Sequence, residues 1–277
     1  YFLTSNEQSI LMSVQRRGGY GERDLYVTFR QNNGRWSTPL NLGDVINTAE
    51  AETSPHLAMD NKTLYFSSAG HLGYGGEDIF VSHRLDSTWT NWSEPENLGP
   101  SANSIEDDIF FNLAPNNKYA YFSRGNKDNT DIYELELPLF QMPDPVIVLK
   151  GKVLNGETLA PVPNSLIQFR DTKQRLTVAQ LRSEPETSRY QVVLPTSTTY
   201  RIFAYNNNLV SSESEMLDVN FIYETDTIYR DILLYPTEDG LPISIIALLK
   251  GKVTNGNTGA PIGNVEIVLT DLRNNTE

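Results

Sequence analysis

Cysteine is absent from this chain. That gap excludes disulfides, thiolate nucleophiles and Cys-ligated zinc together. Cations are scarce: 22 Lys and Arg stand against 35 Asp and Glu in 277 residues, for a formal net charge of −13. A phosphate-binding surface needs clustered cations, and no Lys/Arg stripe is present, so nucleic acid is excluded as a partner. Long apolar runs are lacking too. The longest, Leu241 to Leu249, is nine residues and contains a proline, whereas a helical bilayer crossing needs about 20. No signal-peptide pattern is visible at Tyr1. Histidine occurs three times, as His56, His71 and His83. With no HExxH-type helix and no carboxylate at ligand spacing, these give no basis for a zinc or acid–base role. A Gly-x-Ser-x-Gly elbow is also missing.

What the chain does have is repetition. The segment NLAPNNKYAYFS (112–123) repeats, after a shift of 56 residues, the stretch that holds Tyr65, Phe66 and Ser67. An earlier copy lies 54 residues upstream, where Leu11, Met12 and Ser13 take that place and GGYGERDLYV (18–27) matches GYGGEDIFV (73–81). The signature Trp-Ser-x-Pro-x-Asn-Leu-Gly closes two copies, at Trp36–Gly43 and Trp92–Gly99. Period-2 alternation of Tyr, Phe, Ile and Val, broken by Asn-Lys and Gly-Gly punctuation, predicts hairpins. About four short strands in roughly 50 residues is the length of a propeller blade. Leu3 aligns with Leu57 inside a first strand, which leads to the expectation that further blades precede residue 1.

The character changes after Pro138. LPLFQMPDPVIVL reads as a semi-rigid linker, and a second repeat follows. KGKVLNGETLAPVPNSLIQFRD (150–171) recurs 100 residues later as KGKVTNGNTGAPIGNVEIVLTD (250–271), with twelve of 22 positions identical. A strand, an Asn-Gly turn, a Pro-containing bend and a second strand predict the opening of a small β-sandwich. The expected organisation is therefore all-β. Blades occupy 1–138, a linker 139–148, a sandwich 149–240, and the start of a second sandwich 241–277.

The blade motifs TLYFSS, GYGGEDIFVS and WSEPENLG resemble the TolB-like (PD-type) propeller repeat. KGKVxNGxTxAPxxN resembles the carboxypeptidase-regulatory-like, transthyretin-like sandwich. Their order is similar to the large OmpA-family envelope proteins of Bacteroidetes, some of which serve type IX secretion. That resemblance implies a periplasmic, outer-membrane-associated scaffold whose partners are envelope proteins, with peptidoglycan bound only through a domain outside this chain. Asp86-Ser87-Thr88 and Asp226-Thr227-Ile228 also resemble the short sites where such bacteria attach O-glycans to exported proteins.

The candidate site motifs carry plainer readings beside the functional ones. Gly18–Gly21 and Gly73–Gly76 have strands on both sides, so a phosphate cradle is disfavoured and turns needing positive φ are expected. Asp24, Asp78 and Asp131 follow these loops once per blade, and the expected role is a carboxylate accepting turn N–H groups. Glu50 and Glu52 correspond to Glu106 and Asp108; structural acids and a weak calcium site both remain open. Trp36 and Trp92 are expected to pack between blades. Trp89, Tyr20 and Tyr74 are placed in turns, where they pack locally or grip a glycan or peptide. No catalytic residue, cofactor or metal site follows from the sequence. The leading expectation is a non-enzymatic scaffold, and the alternative is a glycan- or peptide-binding propeller serving uptake.

Overall fold

The computed structural model describes residues 1–5, 7–31, 33–126, 128–211 and 215–237. The expected second sandwich, 241–277, lies outside the described residues. The chain is all-β, and helix among the described residues is confined to a 3₁₀ turn, Leu139–Gln141.

Three antiparallel sheets form a partial propeller. The first blade is β1 (Phe2–Leu3), β2 (Ser9–Val14), β3 (Asp24–Phe29) and β4 (Leu40–Asn41). The second is β5 (Glu52–Leu57), β6 (Thr63–Ser68), β7 (Asp78–His83) and β8 (Glu96–Asn97). The third has three strands, β9 (Asp107–Leu113), β10 (Tyr119–Asn126) and β11 (Asn129–Glu136). Within each blade the strands follow chain order, because two antiparallel neighbours can be joined by a short turn. Hairpin turns fall at Asn61-Lys62, one of the Asn-Lys breaks in the alternation, and at Asn116-Asn117. Asn61 (φ 58°) and Asn117 (φ 60°) take the left-handed conformation that Asn tolerates. The matching position of the first blade is Glu7, also left-handed at φ 56°.

The second blade is buried on both faces. Leu64, Phe66 and Phe80 pack with Leu11, Leu25 and Val27 of the first blade. Tyr65, Ile79 and Val81 point the other way, onto Phe111, Ala120 and Phe122 of the third. All six residues of β6 are consequently buried. A strand covered on both sides reads as a near-continuous apolar run rather than an alternating one.

The rest is one continuous sheet of nine strands: β12 (Val146–Asn155), β13 (Leu166–Asp171), β14 (Thr177–Arg182), β15 (Arg189–Pro195), β16 (Thr199–Asn206), β17 (Leu209–Ser211), β18 (Met216–Asp218), β19 (Asp226–Tyr229) and β20 (Ile232–Pro236). It curls over its own core, which includes Ile147, Phe169, Tyr200 and Leu234. The two end strands of the order, β14 and β15, come back near each other. The sandwich thus forms from a single sheet rather than two. The long strand β12 joins its layers, pairing in parallel with β19 through its first half and with β20 through its second. Gly151 sits at that changeover, where a Cβ would lie 1.8 Å from the Arg230 carbonyl oxygen.

The segment between the two parts is packed down. Gln141 is buried, and Met142 lies against the third-blade core. Strand β12 begins at Val146, inside the stretch that the sequence assigns to a linker.

Candidate functional site

The repeated motifs are spent first on construction. Asp24 accepts from the Tyr20 N–H at 2.8 Å, the Gly21 N–H at 3.1 Å and Asn41 Nδ2 at 2.8 Å. Asp78 accepts from the Tyr74 N–H at 2.6 Å and the Gly75 N–H at 3.2 Å. In this blade the counterpart amide does not reach: Asp78 Oδ1 and Asn97 Nδ2 are both buried without a partner. Asp131 departs from the expected role. It is exposed, and β10 and β11 join through a tight turn with no Gly-rich loop to cap.

The loop glycines also differ from expectation. Of the two loops only Gly18 has positive φ, at 86°. What the others supply is close approach. A Cβ on Gly21 would lie 2.4 Å from the Thr48 carbonyl oxygen, and one on Gly75 2.3 Å from the Ile105 carbonyl carbon. Each loop therefore presses against the strand-entry segment of the next blade.

Glu52 and Asp108 are fully buried. Glu52 binds the Thr48 N–H, the Thr48 hydroxyl and the Ser68 hydroxyl, while Asp108 binds the Ser104 N–H at 2.6 Å and Arg124 Nε at 2.7 Å. Glu50 and Glu106 point to solvent. Among the described residues no three His, Asp or Glu side chains converge as a cation site.

The tryptophans divide. Trp92 and Trp89 are buried between the first two blades, Trp89 with Arg84 at 4.4 Å over its ring and Phe29 edge-on at 5.6 Å. Trp89 is thus core rather than a loop aromatic free to grip a ligand. Trp36, by contrast, is 39% exposed, so it does not repeat the packing of Trp92. Tyr20 and Tyr74 stand exposed at equivalent loop tips. Ser87 and Thr88 are exposed as well, with the Thr88 hydroxyl bound to Asp86 at 2.6 Å. Asn47 and Asn103 were not singled out in the sequence, yet each binds the backbone of its blade's third strand, beside the bond from Leu42 or Leu98. Asn103 accepts the Ile79 N–H at 2.7 Å and donates to the Ile79 carbonyl at 2.8 Å; Asn47 treats Leu25 likewise.

A concave region lies along the inner strands of the blades. The inner strands β1, β5 and β9, each at the edge of its sheet, line a groove of about 430 Å³. Phe2, His56 and Asn112 occupy the same place in successive blades and touch in series. The Phe2 and His56 rings lie 4.6 Å apart, and His56 Nδ1 is 3.2 Å from Asn112 Oδ1. Burial lowers the His56 pKa to about 4, against the opposing bond to Asn112, so the ring is neutral at pH 7. Glu77 accepts from the Thr53 hydroxyl within the second blade, and burial raises its carboxyl above the ordinary range. Ser54 (φ 50°) and Phe110 (φ 58°) sit at matching irregularities of the inner strands. A left-handed phenylalanine is a strained outlier. Here it aims a 61% exposed ring into the groove. The groove offers apolar surface (Phe110, Tyr1), one cation (Arg23) and one carboxyl (Glu77) to a ligand. Asn112 offers His56 an amide oxygen, which can only accept, so Nδ1 is the donor in that bond.

No family model matches this chain, and no curated protein does. Solved structures that resemble it include the Bacillus anthracis TIE protein, with 9% identity and a TM-score of 0.28 over 83% of this chain and 52% of that one. This chain therefore spans about half the length of that structure. A second is the group B streptococcus pilus 2b backbone protein, with 8% identity and a TM-score of 0.30 over 84% of this chain and 99% of that one. Likenesses at this level assign neither fold nor activity.

Proposed function

We propose that this chain is a docking and spacing module of an exported bacterial envelope complex, without catalytic activity of its own. The observation that carries the proposal is the joint between blades and sandwich. The Tyr65 hydroxyl donates to the Gln141 carbonyl, Asn117 Nδ2 to Thr225 Oγ1 at 2.9 Å, and Lys118 pairs with Glu224 at 2.9 Å. The exposed ion pair adds little energy. The buried Tyr65 bond, the half-buried Asn117 bond and Met142 hold the connection in one geometry, which is what a part that sets distances requires. The resemblance to OmpA-family envelope proteins supports the periplasmic face of an outer membrane, and a machine of the type IX secretion kind, as its setting. Partners are envelope proteins received at the inner-strand groove.

The alternative, a glycan- or peptide-binding propeller, is favoured by the exposed Tyr20 and Tyr74 at matching loop tips. Cell fractionation with a photo-crosslinking residue at Phe110 separates the two. A membrane-fraction adduct with an envelope protein is the expected result. Recovery in the cytosol, or adducts with sugars alone, overturns the scaffold and favours the alternative.

A further inference from the structure

The sandwich carries a cluster of cations without ion-pair partners although the chain as a whole is strongly acidic. Residues 150 and 152 of β12, 189 and 191 of β15 and 229 of β19 alternate with the core-facing Leu149, Tyr190 and Ile228 and so share the outer face of these strands. Lys152 stands directly opposite Arg189, and Lys150 opposite both Gln191 and Tyr229. Like charges facing each other across a sheet are destabilising. Among the described residues none of Lys150, Lys152 and Arg189 has a carboxylate within ion-pair distance. Glu184 and Asp231 line the same depression of about 600 Å³. Both keep their charge, Glu184 accepting from the Thr187 hydroxyl and Asp231 from the Lys152 N–H, but neither forms an ion pair with the three cations, which outnumber them. The fourth cation, Arg230, is tied to Glu215 and the Met216 carbonyl. Beside the three free cations Tyr229 is 79% exposed.

We propose that this face binds an anionic polysaccharide, with Lys150, Lys152 and Arg189 meeting carboxylates of the chain and Tyr229 lying against the apolar face of a sugar ring. Two lysines on alternate residues of a strand are about 7 Å apart, so the charges are spread along an open surface and suit a polymer. An acidic peptide fits less well, because it adds at a free edge: Lys150 and Lys152 lie on β12, paired on both sides, and only Arg189 lies on an end strand, β15. An anionic membrane fits less well again. The rim is Gln191, Glu184 and Asp231, and beside the single exposed ring of Tyr229 it lacks the several apolar side chains that insert into a lipid interface. The chain's overall negative charge is no bar, since at physiological salt the Debye length is about 8 Å and only nearby charges act. The Lys-Gly-Lys-Val sequence recurs at 250–253.

Affinity electrophoresis of the 277-residue chain tests this, using gels that contain polygalacturonate, neutral dextran or no polymer. Polygalacturonate should retard the protein and dextran should not. Lys152→Glu and Arg189→Gln should each weaken retardation about tenfold, the scale of one lost charge-assisted contact, and Tyr229→Ala should weaken it as well. Without polymer, Lys152→Gln should raise the melting temperature by removing the like-charge opposition, which a purely structural lysine would not do. Absence of retardation, equal retardation of the variants, or sedimentation with phosphatidylglycerol vesicles in place of polygalacturonate binding overturns the proposal. None of these results bears on the groove of the blades.

Discussion

His56 and Asn112 hold the same position in successive blades, and the imidazole Nδ1 of one lies 3.2 Å from the amide oxygen of the other. The contact joins two inner strands through side chains at a place where the sheets share no backbone ladder.

It also makes stability depend on pH. The His56 pKa falls from 6.5 unfolded to about 4 folded. The unfolded chain therefore binds more protons between these values, and the native state loses stability as pH drops through that window. The loss attributable to His56 approaches about 3 kcal/mol near pH 4. Burial of Glu52 and Glu77 raises their pKa and acts in the opposite direction. The informative quantity is thus the difference from His56→Phe, which places the first blade's residue in the second. Denaturant unfolding at pH 7 and pH 4.5 should show a shallower pH dependence for the variant; identical slopes would remove His56 as the cause.

The three loop aspartates should rank by the bonds they make. Asp24 accepts from four donors, counting a long bond from the Tyr26 hydroxyl, and Asp78 from two. Each unmet buried group costs about 1–3 kcal/mol. Asp24→Ala should be the most damaging, Asp78→Ala less so, and Asp131→Ala within about 0.5 kcal/mol of the parent. Thermal melts of the three variants give the order directly.

Trp89 and Trp36 are a matched contrast. Trp89→Ala opens the core between two blades and should cost about 3–5 kcal/mol. The half-exposed Trp36, truncated in the same way, should cost clearly less. Comparable losses in urea unfolding would mean that Trp36 is covered in solution.

Glu7 is a local misfit. Its φ of 56° is one that Asn61 and Asn117 adopt at the equivalent turns. Glu7→Asn should stabilise by about 0.5–1 kcal/mol. A decrease would show that the Glu7 side chain has a role beyond the turn.

Much of this architecture could be read in the chain itself. Alternation of Tyr, Phe, Ile and Val between turn residues determined the blades, and Asn61 and Asn117 determined where two hairpins reverse, because both are local properties of backbone and side chain. The recurrence of KGKVxNG likewise marked the start of the sandwich. Other features depended on what lies across an interface. Gly21 and Gly75 have ordinary φ and are needed because the next blade's backbone comes within a Cβ's reach, a distance no local pattern encodes. Trp89 lies in a turn-like sequence, yet a neighbouring blade buries it. Asp131 matches Asp78 in sequence but has no loop to cap, since the third blade turns tightly there. The inner-strand groove and the cationic face are likewise products of tertiary structure. Phe2, His56 and Asn112 are separated by 54 and 56 residues, and Lys152 and Arg189 by 37; only the packing of blades and the register of β12 with β15 bring them together.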